Sequence, residues 1–215
     1  TPSPSGAQVT ETFTYTIASP FWRLLLGIPI RRFLKRSGGS EEKLWWAPPE
    51  IFDSQTTRTL SLLCIAAVIT GYLGALLGQT ATFAAEEFGA SDRAQGVLLA
   101  MVRIGTLITV VVAGLADKHG RKRLLIFSLW SGCAITLLSA ASPNIMILGI
   151  SQAMARGFAT AISILIGIMA AEAAPKGSRA YIAGILTLTA GLGAGIPVWL
   201  LSLADVHPRG WRLLF

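Results

Sequence analysis

Five apolar stretches, each long enough to cross the hydrocarbon core of a bilayer, dominate this chain and restrict what it can become. They run approximately over residues 60–84, 95–115, 124–141, 145–171 and 181–203, and a further apolar run opens at Trp211. A spanning helix needs about 20 residues. Within the core of a bilayer only helices and closed barrels satisfy every backbone N–H and C=O. Period-two alternation is absent and Gly, Ala and Leu dominate, so the stretches predict helices rather than barrel strands. Charged residues make up only 13% of the chain, against roughly 25% in a soluble domain, which excludes an ordinary soluble fold. The chain begins without Met and stops at Phe215 inside an apolar run, so it reads as part of a longer protein. The first apolar run lies too far in, and is too long, for a signal peptide.

The formal net charge of +7 is a matter of loops. With the N-terminus in the cytoplasm, thirteen of the Lys and Arg residues fall on the cytoplasmic side, among them Arg23, Arg31, Lys118, Arg123 and Lys176. Only Arg93, Arg209 and Arg212 fall on the other side, and Arg103 and Arg156 lie within spans. That bias follows the positive-inside rule and builds no continuous basic face, so nucleic acid is not expected as a partner. Cys64 and Cys133 both lie inside spans, with no His or second Cys at ligand spacing, so neither a disulfide nor a metal site is expected. No cofactor motif and no catalytic constellation stands out.

Residues 1–56 form a cytoplasmic N-terminal region distinct from the membrane domain at 57–215. Residues 21–36 (FWRLLLGIPIRRFLKR) mix large apolar side chains with five cations, as a helix lying on an anionic leaflet requires. Trp45 and Trp46 suit the interface, and Pro48-Pro49 separates this region from span one.

Between spans two and three stands Gly114-Leu115-Ala116-Asp117-Lys118-His119-Gly120-Arg121-Lys122-Arg123. This resembles the G-x-L-A-D-[RK]-x-G-R-[RK]-[RK] signature of the major facilitator superfamily, in the loop where that family carries it. Gly114 would let a neighbouring helix approach closely, and Gly120 permits a tight turn. Asp117 ends span two, where its own helix dipole disfavours an anion, so it needs a cationic or helix-N-terminal partner. The resemblance implies pairing with Arg121 and contact with the second half, closing the cytoplasmic side. After span four, Glu172 and Arg179 resemble the E-x6-R element of sugar porters and related metabolite symporters, whose Glu joins the same charge cluster. Gly114, Asp117, Gly120, Arg121, Lys122, Glu172 and Arg179 are thus the candidate cytoplasmic gate.

Span one reads Gly71-Tyr72-Leu73, similar to the sugar-porter G-Y-D pattern with Leu73 in place of the acid, and no acid lies in the interior of spans one to five. In span five Gly184, Gly191 and Gly195 share a face that admits a close helix neighbour. His207-Pro208-Arg209-Gly210-Trp211-Arg212 resembles the family's G-W-R element leading into span six. The resemblance implies an all-α polytopic bundle of two six-span halves, each built from three-helix repeats, with substrate bound near the midplane. This chain covers five spans and the start of a sixth, in a plasma (inner) membrane.

In span four Gln152, Arg156 and Thr160 recur at i, i+4 and i+8, and Arg156-Gly157 resembles the family's span-four R-G element. These three, with Gln79 in span one, are the candidate substrate-cavity residues. Arg103, eleven residues or about three turns before Gly114, is expected with Gly191 and Gly195 at the interface between halves. The expected function is alternating-access transport of a small solute, an organic anion or sugar-like metabolite, by a symporter or antiporter. A coupling ion, the bilayer and the rest of the chain are the other implied partners. A non-transporting membrane sensor or assembly subunit is the alternative.

Overall fold

The computed structural model describes residues 48–50, 52–203, 207 and 209–215, all within the unit Lys43–Phe215. The basic segment at 21–36 and Trp45-Trp46 lie outside the described residues. Every regular element among the described residues is helical: α1 (Ser54–Glu87), α2 (Asp92–Gly105), α3 (Ile108–His119), α4 (Arg121–Ser139), α5 (Ile145–Ala173) and α6 (Arg179–Leu200). Short 3₁₀ turns follow at Leu201–Leu203 and Gly210–Leu214. Among them are five helices long and apolar enough to cross a membrane, with α2 and α3 together forming the second.

The ends follow from local chemistry. Asp53, Ser91 and Asn144 each accept a backbone N–H of the first turn of α1, α2 and α5 respectively, as N-cap side chains do. Pro175 stands just past the end of α5. Between α3 and α4 the chain reverses at Gly120, whose φ of 90° favours glycine. Up-and-down connectivity brings the α3–α4 and α5–α6 loops and the start of α1 to one end, called here the basic end for Lys118, Arg121–Arg123 and Lys176. The α1–α2 turn, the α4–α5 loop and the residues after α6 lie at the far end.

Small residues set the helix spacing, because lipid supplies no hydrophobic drive between apolar helices and close approach must come from shape. The most extensive packing joins α1 to α6. A Cβ on Gly71 would sit 2.0 Å from Ala190 O, and one on Gly193 2.0 Å from Val68 O. The second close seam joins span two to α5: a Cβ on Gly105 would lie 2.0 Å from Ala153 O, and one on Gly157 2.6 Å from Gly105 O. Phe127, Trp130, Leu137 and Leu138 of α4 and Leu188, Leu192 and Trp199 of α6 face outward, as the lipid or a further helix layer requires.

Span two differs from an unbroken helix. It breaks between Gly105 and Ile108, where successive amides bond to the third carbonyl back: Thr106 N to Arg103 O at 3.2 Å and Leu107 N to Ile104 O at 3.0 Å. Such a tightened stretch inside a long helix changes its phase and direction.

Candidate functional site

A cavity of about 330 Å³ opens between α1, α2 and α5. Its apolar wall includes Leu73, Leu77, Leu99 and Val102, and its polar groups are Arg103, Thr106, Gln152 and Arg156. Arg103 lies eleven residues into α2 and Arg156 eleven residues into α5, so both stand about 16 Å from the far end of their helices, near mid-depth. Arg156 Nη1 donates to the carbonyl of Gly74 in α1. Gln152 is buried and its amide donates to Ser139 Oγ at 2.6 Å, tying α5 to α4. The lining contains no Asp or Glu. A guanidinium at bilayer centre costs at least about 2.5 kcal/mol on insertion scales, so two of them beside one cavity make it a strong attractor for an anion.

The geometry departs from the expectations at several residues. Arg103 lines the cavity with Arg156, and the break at Gly105–Ile108 separates it from Gly114. Thr160 is not among the lining residues, and its hydroxyl donates to its own helix at Arg156 O, 2.9 Å. Eight residues advance about 800° around a helix, some 80° past two full turns. Gln79 is exposed and outside the lining, although its neighbour Gly78 is in it.

A Cβ on Gly114, Gly191 or Gly195 would meet nothing within 4 Å. The close approach in span five is at Gly193, two residues from each of the latter pair, because that side of α6 faces α1. Two residues advance about 200° around a helix, so Gly191 and Gly195 stand on the open face of α6, turned away from α1.

At the basic end Arg121 pairs with Glu172, bridging the start of α4 and the end of α5. The expected Asp117–Arg121 pair is absent: Asp117 has no ion pair among the described residues. Gly120 turns the chain between the two, so the α4 side chain meets the α5 terminus first. Lys122 is exposed, and Arg179 lines a separate groove of about 350 Å³ between α1, α5 and α6.

At the far end stands a cluster that sequence reasoning missed. Arg212 grips Glu87 with two parallel bonds, Nε to Oε2 at 3.1 Å and Nη2 to Oε1 at 3.0 Å. It also donates to Ala140 O at 2.7 Å and Ser142 O at 3.0 Å in the α4–α5 loop. Trp211, fully buried, donates its indole N–H to Glu87 Oε2 at 2.7 Å, and Arg209 approaches Glu87 at 3.3 Å. The guanidinium of Arg212 stacks 5.0 Å from the Trp211 ring and 5.5 Å from that of Phe88. The G-W-R element was legible, but its acid lies 124 and 125 positions earlier, and no local pattern links them.

No curated protein and no solved structure matches the chain. The family model described as the Major Facilitator Superfamily matches residues 63–215, from the tenth residue of α1 to the last residue. That family comprises multi-pass membrane transporters that bind small-molecule substrates, in keeping with the five apolar helices and the Gly114–Arg123 loop. The chain belongs to the major facilitator superfamily.

Proposed function

We propose that this chain is the first half of a transporter that moves a small organic anion by alternating access. The observation that carries the reading is the cavity between α1, α2 and α5, where Arg103 and Arg156 meet with no carboxylate in the lining. An anion entering it meets a planar, permanently charged fork able to form charge-assisted hydrogen bonds, and offsets two cations held near mid-depth. A second half, following residue 215, closes the cavity from the other side. The basic end carries the gate, with Asp117, Arg121 and Glu172 remade between inward- and outward-open states. A coupling ion, where one is used, binds outside the α1 position held by Leu73, which offers no acid.

Uptake by the reconstituted full-length protein tests this. Radiolabelled acetate, benzoate, succinate and glycerol 3-phosphate are compared with glucose and tetramethylammonium. Accumulation of at least one anion, with neither glucose nor tetramethylammonium taken up, is the expected result. Selective uptake of glucose or of the cation would refute the anion reading.

A further inference from the structure

We infer that the two arginines of the cavity have different jobs: Arg103 grips the anionic group of the substrate, and Arg156 is a positioning residue that straps α5 to α1. The inference rests on the anion reading above and divides its cationic site in two.

Arg156 is already engaged. Its Nη1 donates to Gly74 O across the helix pair, and a Cβ on Gly74 would lie 3.1 Å from that nitrogen, so the glycine leaves the space in which the guanidinium seats. A carbonyl inside a helix keeps a second lone pair, and here it takes a cation at a depth where unpaired polar groups are costly. Swinging Arg156 toward a substrate would give up the side-chain bond that, among the described residues, links α5 to this stretch of α1.

Arg103 is held differently. Among the described residues its side chain has no ion-pair or hydrogen-bond partner, and it lines the cavity. Its backbone, in contrast, is fixed. Arg103 O accepts both Thr106 N at 3.2 Å and Thr106 Oγ1 at 2.7 Å. Two residues on, Gly105 is seated against the backbone of Ala153 so closely that no side chain would fit. A guanidinium has five N–H donors. Arg103 therefore presents a complete, unspent fork on an anchored stem, whereas Arg156 has spent part of its own on the fold. Bidentate capture of a carboxylate or phosphate needs the complete fork. Thr106 lines the same wall and holds Arg103 through its carbonyl.

The test uses the reconstituted full-length protein and the best-transported anion of the four above. Arg103→Lys keeps the charge and removes the fork, so KM should rise at least about tenfold, the loss of one charge-assisted bond, with abundance, thermal midpoint and maximal rate near the parent's. Arg156→Lys should leave KM within about threefold while lowering maximal rate and thermal midpoint together, because a flexible ammonium holds the Gly74 carbonyl less well. An unchanged KM in Arg103→Lys would mean that its charge serves an acid elsewhere in the protein, and would overturn the assignment. A raised KM confined to Arg156→Lys would overturn the division of labour while leaving anion transport standing. Uptake of glucose in preference to every anion would remove the anion reading itself.

Discussion

The two ends of the helix bundle carry charge clusters built on different physical terms. At the basic end Arg121 meets Glu172 with 35% and 60% of their side chains exposed. At the far end Glu87 is only 11% exposed and is shared by Trp211, Arg212 and Arg209. An exposed pair gains little, roughly 0–1 kcal/mol, because water and salt screen it and two long side chains lose freedom. A largely covered carboxylate gripped by a bidentate fork and an indole N–H is costly to separate, since without Arg212 it keeps only the Trp211 N–H and the exposed Arg209. The far-end cluster also joins three segments of the chain: the end of α1, the α4–α5 loop and residues 209–212. One end of this half is thus cheap to open, and the other is fastened. That is the asymmetry that the alternating access proposed above would use, with the helices moving as a body while contacts at the basic end are exchanged.

The sharpest way to break this comparison is to remove one far-end partner. Arg212→Ala or Glu87→Gln should cost about 1.5–3 kcal/mol, read as loss of abundance and a lower unfolding midpoint in detergent. Replacing both by Leu should cost less than either single change, because no lone charge is left behind. Equal stability of the single variants and the parent would show that the cluster fastens nothing.

The proposed gate gives the next largest effect, on transport rather than on stability. Asp117→Asn should cut transport at least about tenfold at near-normal abundance, since the charge serves a contact made in one conformational state. Asp117 has no ion pair within the described residues, so its loss disturbs no packing here. Full activity at normal abundance would remove it from the gate.

A smaller effect belongs to the exposed pair itself. Arg121→Gln and Glu172→Gln should each shift unfolding by less than about 1 kcal/mol, and raising salt should shrink even that difference. A shift as large as the one for Arg212→Ala would abolish the contrast between the ends.

The least perturbing test asks which end faces the cytoplasm. With Cys64 and Cys133 replaced by Ala, single cysteines at Lys118 and Lys176 should label from the cytoplasmic side, and one at exposed Ala141 from outside. Asn144 lies in the same loop but caps α5 through Ile147 N at 2.9 Å, so Ala141 is the gentler position. Cytoplasmic labelling of Ala141→Cys would invert the orientation.

Much of this architecture was already present in the order of residues. Helix is forced wherever some twenty apolar residues must satisfy their own backbone in lipid, so the spans were legible to within a few residues at each end. The Gly114–Arg123 loop was legible because a turn, a helix terminus and a charge all demand particular residue types at fixed offsets. Arg156 and Gln152 could be placed together because one helical turn separates them. What the spacing did not give depended on distances longer than a turn: Thr160 lies about 80° around the helix from Gln152 and is not among the lining residues.

Glu87 and Arg212 show the same limit at its furthest. Each is an ordinary charge near a span end, and nothing local relates them. Sequence alone determined that this chain is a set of membrane helices with a basic loop between the second and third, because those features are set by solvation and short-range geometry. Only tertiary structure decided which glycines carry the close contacts, which charges meet, and which arginine keeps its fork free. Those outcomes depend on how whole helices rotate and slide against one another, and that is settled by the packing of residues far apart in the chain.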